Sequence, residues 1–398
     1  MLRTMQNTVR SLAASLAPVF RRIEDADESV LADQIAIARV PAPTGGEAER
    51  AELMVRRLRA AGLCKVAIDA AGNVVASTHA RGKAPIVLCA HLDTVFDSRD
   101  PVPVHRDGIR LEAPGISDNA RGLATLAILA DLAGSGQLPL TRPVLFAATT
   151  CEEGHGDLRG ARYLFDTVAA DAHVAVALDG PGDERIVTAA LGCRRYHIAF
   201  RGPGGHSWGR YGTPNAIHAA AALVTRLTGY AAYDRTRTAL TVSRIAGGTT
   251  INAIPAETWI EVDVRSTSDA ELVRIDQHVR RATRDAAEEE NGRRRQDTSP
   301  LSVTLTLIGE RPAGEVSMDH EVVATAAEAT RAVHRAPEFA VASTDANIPM
   351  SRGIPAIAIG GGGAGGETHT LAEWFENRDG SRGVSRAALL LAALASSR

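Results

Sequence analysis

The sequence predicts an α/β protein in which a mostly parallel-sheet domain is interrupted by an inserted α+β domain. Between about residues 27 and 179, short apolar strands alternate with helical patterns, which is typical of a mostly parallel sheet. From about residue 194 the predicted order becomes β-α-β-β-α-β, the order of a ferredoxin-like unit. The α/β pattern returns after residue 320. The predicted domains are 1–190 together with 310–398 for the larger domain, and 191–309 for the insertion.

The elements of the larger domain follow from hydrophobic period and turn residues. Residues 1–22 contain four arginines and no acid, which favours an amphipathic first helix over a transit peptide. Residues 66–75 predict a hairpin that turns at Ala71-Gly72-Asn73. The other predicted helices cover 47–61, 118–132, 160–169, 320–335 and 382–395, and the strands cover 86–90, 144–151, 174–178 and 355–359.

The insertion is predicted to contain four strands and two helices. The pair Gly247-Gly248 separates two strands within 239–265, because adjacent glycines mark a turn. The remaining strands cover 194–201 and 301–307, and the helices cover 214–227 and 269–290.

The composition excludes several classes of protein. The net charge of −3 gives no electrostatic reason to expect a nucleic-acid partner. The one basic run, 293–295, closely follows the acidic run 288–290 and is expected to be a solvated helix end. No apolar run approaches the roughly 18 residues of a membrane helix. The four cysteines form no C-x-x-C pair, which favours free thiols in a reducing compartment and a cytoplasmic protein.

Carboxylates and histidines stand where the predicted apolar strands end. In an open α/β sheet, ligands collect outside the carboxyl ends of the strands, so these side chains are directed to one place. Imidazoles and carboxylates gathered without a thiolate favour a divalent transition-metal site. The residues are His91, Asp93, Glu152, Glu153, Asp179 and His369.

Each of these residues also has a structural interpretation. His91 and Asp93 point to the same face of a strand, so that Asp93 can fix the ring of His91, but the pair also suits a surface turn. Asp118 precedes an apolar helix and is either its N-cap or a carboxylate that bridges two cations. Asp179 begins a Gly-Pro-Gly turn, and His369 follows a glycine-rich loop that lacks the P-loop pattern.

Glu152 and Glu153 form the most informative pair. Adjacent carboxylates at the end of a buried strand are costly unless positive charge lies nearby. Neighbouring residues in a strand point to opposite sides, which favours separate roles for the two. One can bind a metal while the other removes a proton from metal-bound water, and a salt bridge is the alternative.

A serine hydrolase is an alternative of a different class. Ser207 lies in a formal G-x-S-x-G pattern, but the nucleophile elbow requires an immediate strand-turn-helix. Residues 210–213 intervene before the next predicted helix, so His206 is preferred as the working residue of that loop.

Together the motifs resemble the di-metal aminoacylase and carboxypeptidase family, which includes glutamate carboxypeptidase, tripeptidase T and succinyl-diaminopimelate desuccinylase. The resemblance covers nearly the whole chain, and the order and spacing of the motifs make it specific. The motifs are His91-Leu92-Asp93-Thr94-Val95, Gly115-Ile116-Ser117-Asp118-Asn119, Glu152-Glu153-Gly154, Asp179, Gly204-Gly205-His206-Ser207, Asn252-Ala253-Ile254-Pro255, Asp263-Val264-Arg265 and His369-Thr370-Leu371-Ala372-Glu373-Trp374.

The resemblance implies a zinc-exopeptidase-like catalytic domain with an inserted lid and dimerisation domain. It implies that Asp118 bridges two metals and that the peptide bond after it is cis. It makes Glu152 the general base and Asp93 the residue that orients His91. The remaining implied ligands are His91 and Asp179 for one metal, and Glu153 and His369 for the other.

The resemblance also implies roles for residues of the insertion. His206 stabilises the oxyanion, reaching across a homodimer, and Asn252 and Arg265 contact the substrate, often its carboxylate. For Arg265 the alternative is a salt bridge with Asp263 or a neighbouring glutamate. Arg121 and His155 depart from the family pattern, and their expected place near the cleft puts substrate preference in doubt.

The expected function is metal-dependent hydrolysis of an amide- or peptide-type C–N bond in a small carboxylate-bearing substrate. The water is activated between two divalent metals, with Glu152 as the base. Zinc is expected, with manganese or cobalt as alternatives. Deamination of an aryl amine, deacylation of an N-acyl amino acid and a non-catalytic metal-binding role stay open. The expected partners are a small-molecule substrate and a second copy of the chain, with no nucleic acid and no membrane.

Overall fold

The computed structural model describes residues 2–78, 83–230 and 237–396, which form two compact units. The larger unit is Met1–Ala190 with Glu315–Arg398, and the inserted unit is Leu191–Gly314. The predicted boundary after residue 309 lies inside the strand Ser302–Arg311. That strand pairs with Gly192–Arg201 as far as Arg311 opposite Cys193, so the insertion ends at residue 314 instead.

The elements predicted before the insertion are present, with a break in the first helix and with ends that differ from the prediction by a few residues, and further short elements lie between them. They are α1 Leu2–Ser15, α2 Ala17–Asp25, α3 Asp27–Arg39, α4 Ala48–Ala60, β1 Cys64–Ile68, β2 Val74–Ser77, β3 Ile86–His91, β4 His105–Asp107, β5 Arg110–Glu112, α5 Ala120–Gly134, β6 Val144–Thr149, a 3₁₀ turn Gly154–Gly156, α6 Arg159–Tyr163, a π-helical segment Leu164–Val168, β7 Val174–Leu178 and β8 Arg185–Ala190.

The inserted unit has the predicted β-α-β-β-α-β order with two short strands added. Its elements are β9 Gly192–Arg201, β10 Gly205–His206, α7 Ala216–Thr228, β11 Thr238–Gly247, β12 Ala253–Ile254, β13 Glu257–Ser266, α8 Asp269–Gly292 and β14 Ser302–Arg311. The chain returns to the larger unit through β15 Gly314–Glu315, α9 Glu321–Ala332, β16 Glu338–Ala342, α10 Asn347–Ser351, β17 Ala356–Ile359, β18 Ala364–Gly366, β19 Trp374–Glu376 and α11 Gly380–Ser396.

The central sheet of the larger unit has a parallel core. Its strand order is β1-β2-β6-β3-β7-β17-β8-β15, with β16 paired to β8. Strand β3 runs parallel to β6 and β7, and β17 runs parallel to β7. These four strands are buried along their whole length, as expected for apolar strands covered on both faces. Their carboxyl ends therefore meet at one edge of the sheet.

The predicted single first helix is two helices. Helix α1 ends at Ser15, and α2 begins at Ala17 with Pro18 in its first turn. Proline suits the first turn of a helix because its missing N–H would have no partner there, whereas inside a helix it breaks the hydrogen-bond ladder. The proline therefore explains the break.

The inserted unit has its own core. Its antiparallel sheet has the order β11-β13-β9-β14, and the buried face packs against α7 and α8 through residues such as Tyr196, Leu223 and Ile275. Helix α8 ends at Gly292, so the adjacent acidic and basic runs lie at a helix end as predicted. Glu290 is not solvated, because it is buried and accepts from Asn215 N at 2.7 Å. Within the described parts of the chain, no helix combines the length and apolar character that crossing a bilayer requires.

Candidate metal centre

The carboxyl ends of the parallel strands deliver the predicted residues to one region of the larger unit. His91 is the last residue of β3, Glu152 and Glu153 follow β6, and Asp179 follows β7. His91, Glu152 and Glu153 are buried, although each has a side chain that prefers water. Burying this many ionisable groups together costs free energy unless their charges are compensated.

Asp118 contacts a different histidine with each carboxylate oxygen. Its Oδ1 lies 2.9 Å from His91 Nε2, and its Oδ2 lies 3.3 Å from His369 Nε2. The same His369 nitrogen lies 2.9 Å from Glu153 Oε1. One ligand atom each from His91, Asp118 and Glu153 fall within 4.8 Å of one another. These nitrogen and oxygen donors fit a divalent transition metal, and Asp118 stands between the two histidines.

The ionisation of these groups shows how strongly they interact. Burial opposes the charged form of Asp118, but hydrogen bonds with His369 and His91 outweigh it and hold the pKa of Asp118 well below its usual range. Hydrogen bonds with Asp118 and Glu153 raise the pKa of His369 to about 10. Burial, together with the nearby Asp118 carboxylate, raises the pKa of Asp179 to about 6. The centre thus concentrates negative charge that only protonated histidines or cations can balance.

Asn119 explains why Asp118 is not a helix cap. Asn119 is the N-cap of α5, and its side-chain oxygen accepts from the backbone N–H of Gly122. The same oxygen accepts from Gly180 N, and the amide nitrogen donates to Leu178 O. Asn119 therefore ties the start of α5 to the end of β7, and the capping interpretation of Asp118 is wrong. The peptide bond between Asp118 and Asn119 is cis, as the family resemblance implies.

Asp93 fixes more than the ring of His91. Its carboxylate accepts from the backbone N–H groups of Glu152 and Glu153, both at 2.9 Å, and from the Thr44 hydroxyl at 2.9 Å. His91 Nδ1 lies 3.0 Å from the Asp93 backbone oxygen and 3.5 Å from its carboxylate. The carboxylate thus holds the turn that carries the glutamate pair, whereas the backbone carbonyl makes the shorter contact with the imidazole.

Of the two residues expected near the cleft, Arg121 has other surroundings. Arg121 is fully buried, where it donates to the backbone oxygens of Gly361 and Gly380 at 2.8 Å and lies over the ring of Phe375. It is a packing residue, so its expected place near the cleft is wrong. His155 is exposed in the 3₁₀ turn that follows the glutamate pair.

The remaining predicted site residues belong to the inserted unit. His206 in β10 pairs with Ala253 in β12, beside Asn252, and these strands line a cavity of about 780 Å³. His206 Nδ1 accepts from the backbone N–H groups of Trp208 and Gly209 at 3.2 and 3.3 Å. The proton of the neutral ring is therefore on Nε2, which is free to act as a donor.

Arg265 and Ser207 have the surroundings that their structural interpretations predict. Arg265 Nε donates to Asp263 Oδ2 at 2.8 Å, which is the salt-bridge alternative. Ser207 lies in the turn after β10, and α7 begins only at Ala216. The strand-turn-helix that a nucleophile elbow requires is therefore missing at Ser207.

Comparison with known proteins identifies the family. The model of peptidase family M20/M25/M40 matches residues 87–393. The chain belongs to this family. Membership confirms the predicted family and makes this M20 protein a metal-dependent hydrolase of amide bonds.

Sequence and structural relatives of this M20 protein agree with the assignment. A putative succinyl-diaminopimelate desuccinylase (DapE) of Mycobacterium tuberculosis is 28% identical over 254 residues, which cover 61% of this chain and 70% of the relative. A tripeptidase of Staphylococcus aureus has a TM-score of 0.78 and 20% identity, covering 92% and 98% of the two chains. The YXEP protein of Bacillus subtilis, a dinuclear metal-binding M20 peptidase, has a TM-score of 0.69 and 16% identity, covering 94% and 100%. The two structural matches show the shared fold.

Sequence reasoning missed two residues that support the centre of this M20 protein. Asn119 follows the bridging candidate directly, and its preference for N-cap positions is the signal that could have found it. Glu373 belongs to the motif 369–374 around His369, but the sequence predicts no role for it. An acid between Ala372 and Trp374, in a loop that is otherwise short of charge, is the available signal for Glu373.

Proposed function

We propose that this M20 protein is a two-metal hydrolase that cleaves an amide-type C–N bond in a small carboxylate-bearing substrate. The main support is Asp118, whose two oxygens each contact a different histidine. His91 and Asp179 would complete one cation site with Asp118. Glu153 and His369 would complete the other. The dinuclear metal binding of the Bacillus subtilis relative supports the same number of ions.

The chain supplies the proton transfers of the reaction. Two bound divalent cations would provide Lewis acidity that lowers the pKa of water and polarises the scissile carbonyl. Glu152 removes a proton from the attacking water while the water oxygen forms its bond to the carbonyl carbon. Glu152 then returns that proton to the leaving nitrogen as the C–N bond breaks, so the carboxylate is regenerated. His206 donates from Nε2 to the oxygen that becomes negative.

Zinc is the proposed metal, because nitrogen and oxygen donors bind it strongly, and manganese or cobalt are the alternatives.

On the substrate side, Asn252 lies beside His206 in the inserted unit. Arg265 already pairs with Asp263, so a substrate carboxylate would have to compete for its exposed guanidinium. The free cysteines favour a cytoplasmic enzyme, which subcellular fractionation can check.

The first test is metal dependence. We expect metal-stripped protein to lose turnover by several orders of magnitude and to regain it on reloading with zinc, manganese or cobalt. The panel contains dipeptides, N-acyl amino acids and carboxylate-bearing aryl amines, which distinguish peptidase, deacylase and deaminase activities. Turnover that survives chelation and stops with a serine-directed inhibitor would instead support Ser207 as the nucleophile.

We also propose a homodimer formed through the inserted unit. Strand β11 lies at an edge of its sheet and pairs with β13 on one side, among the strands that the structure describes. Arg244 is the one charged residue of β11, and Ile245 is 56% exposed. A long edge strand with little charge is a natural site for pairing with a second copy.

A mixing experiment tests both the dimer and the action of His206 on the partner's substrate. His206→Ala and Glu152→Gln homodimers should each be nearly inactive. When the two variant chains are co-expressed, half of the dimers are mixed. If His206 acts across the dimer, each mixed dimer has one site in which both Glu152 and His206 are intact. We expect about a quarter of wild-type turnover in the mixture. Turnover no higher than that of the two homodimers would rule out action across the dimer, and a monomer by light scattering would rule out the dimer itself.

A further inference from the structure

Glu373 holds the loop that carries the bridging carboxylate. Its side chain is 1% exposed. Its Oε1 accepts from Ser117 N and Asp118 N, both at 2.9 Å, and from the Ser117 hydroxyl at 2.7 Å. Its Oε2 accepts from Gly115 N at 2.9 Å. One buried carboxylate thus receives four hydrogen bonds from a four-residue segment that ends at Asp118.

The backbone at Glu373 and Trp374 is held against Ala113 and Glu112, which lie just before that segment. Glu373 O accepts from Ala113 N at 3.1 Å, and Trp374 in β19 pairs with Glu112 in β5. Gly115 has a φ of +72°, and a Cβ there would lie 2.6 Å from a methyl carbon of Thr94. Gly115 therefore permits the tight path of the loop, while Glu373 satisfies the N–H groups that this path leaves facing inward.

The loop that presents Glu373 also presents His369. Between them the backbone forms a compact turn, in which Thr370 N donates to Glu367 O at 3.1 Å and Glu373 N donates to Thr370 O at 3.2 Å. His369 contacts Asp118 Oδ2 from one end of this turn, and Glu373 contacts Asp118 N from the other. The side chain and the backbone of Asp118 are thus both fixed by one short segment.

We propose that Glu373 is a positioning residue, which fixes Asp118 relative to His369. It thereby sets the geometry of the cation site that Asp118 and His369 would form with Glu153. This inference rests on the proposed function, because it requires Asp118 and His369 to be ligands. A glutamine has nearly the shape of Glu373 but one acceptor oxygen and one donor NH₂. Whichever way it turns, the NH₂ group faces backbone N–H donors, so the loop must shift.

The test measures metal binding as well as turnover. Metal-stripped wild type, Glu373→Gln and Ser117→Ala are titrated with zinc in a calorimeter, and their cobalt forms are compared by visible absorption. For Glu373→Gln we expect zinc affinity to fall about 10- to 100-fold, as is usual when a residue that supports a ligand is replaced, together with an altered cobalt spectrum. Ser117→Ala removes one of the four donors and should produce a smaller change in the same direction.

Glu376→Gln is the matched control. Glu376 is the last residue of β19, the strand that directly follows Glu373, but it pairs with Arg110 and Arg378 at 3.0 and 2.9 Å. We expect its zinc affinity and cobalt spectrum to match those of the wild type. Circular dichroism melts show whether each variant is folded, and Ser117→Ala keeps the test decisive if Glu373→Gln does not fold.

Two outcomes separate this inference from the proposed function. If Asp118→Ala loses metal while Glu373→Gln and Ser117→Ala keep wild-type affinity and spectrum, the positioning role is wrong and the metal site stands. If Asp118→Ala itself binds metal as the wild type does, the proposed function is wrong, and the positioning role is wrong with it.

Discussion

Replacing Asp118 by alanine is expected to abolish the binding of both metal ions. The two oxygens of Asp118 contact His91 and His369, so that one side chain completes both proposed sites. Without Asp118, His91 and His369 lose the carboxylate that contacts both of them. We expect kcat/KM to fall on the order of 10³-fold or more, since metal ions contribute several kcal/mol to such reactions.

Metal content and turnover are measured on the same preparation. Asp131→Ala is the matched control. Asp131 is an exposed residue near the C-terminal end of α5, the helix that follows Asp118. This control should keep two metal ions per chain and normal turnover. A single metal ion retained by Asp118→Ala would show that Asp118 belongs to one site and does not bridge.

Much of the metal centre could be predicted because strand ends are easy to read from sequence. The buried strands β3, β6 and β7 are continuous apolar runs, and a polar residue that ends such a run must lie at the edge of the sheet. Once the strands are parallel, their ends meet. His91, the glutamate pair and Asp179 follow from these two facts, and the helical and strand segments follow from hydrophobic period in the same way.

Loops are where prediction from sequence failed, because contacts between distant segments decide them. The local pattern at Asp118 fits an N-cap, but the structure shows the neighbouring Asn119 in that position instead. The buried Arg121 donates to the carbonyl oxygen of Gly361, 240 positions away in the sequence. No local sequence pattern reveals this contact. Glu373 likewise contacts Gly115 through a separation of 258 positions. A buried charge is stable only with such partners, and the partners are known only after the chain has folded.

The predicted end of the insertion, residue 309, is too early for a related reason. The apolar alternation of β14 weakens after Leu307, so the sequence appeared to leave the sheet there. In the structure, a register shift between Leu307 and Gly309 lets the pairing with β9 continue to Arg311. A β-bulge preserves a strand while breaking its alternation, so periodicity alone places the end too early.

Replacing Glu152 by glutamine is expected to keep both metal ions and lose the reaction. Glutamine fills nearly the same volume at this buried position, but it cannot take a proton from water. The Asp93 carboxylate accepts from the backbone N–H of residue 152, a contact that the substitution leaves in place. General acid–base catalysis contributes about 10²- to 10⁴-fold, so we expect kcat to fall by that factor with little change in KM.

Glu153→Gln provides the contrast that separates the two neighbouring carboxylates. Glu153 Oε1 lies 2.9 Å from His369 Nε2, and Glu153 belongs to the cluster that can hold a cation. This variant should lose metal, and excess zinc should restore part of its turnover. Excess zinc should leave Glu152→Gln inactive, because that variant lacks a base and not an ion. Near-normal turnover in Glu152→Gln would contradict the mechanism, since the first proton would then have to leave through another residue. Equal metal loss in both variants would show that the two glutamates share the ligand role, and that the base lies elsewhere in the centre.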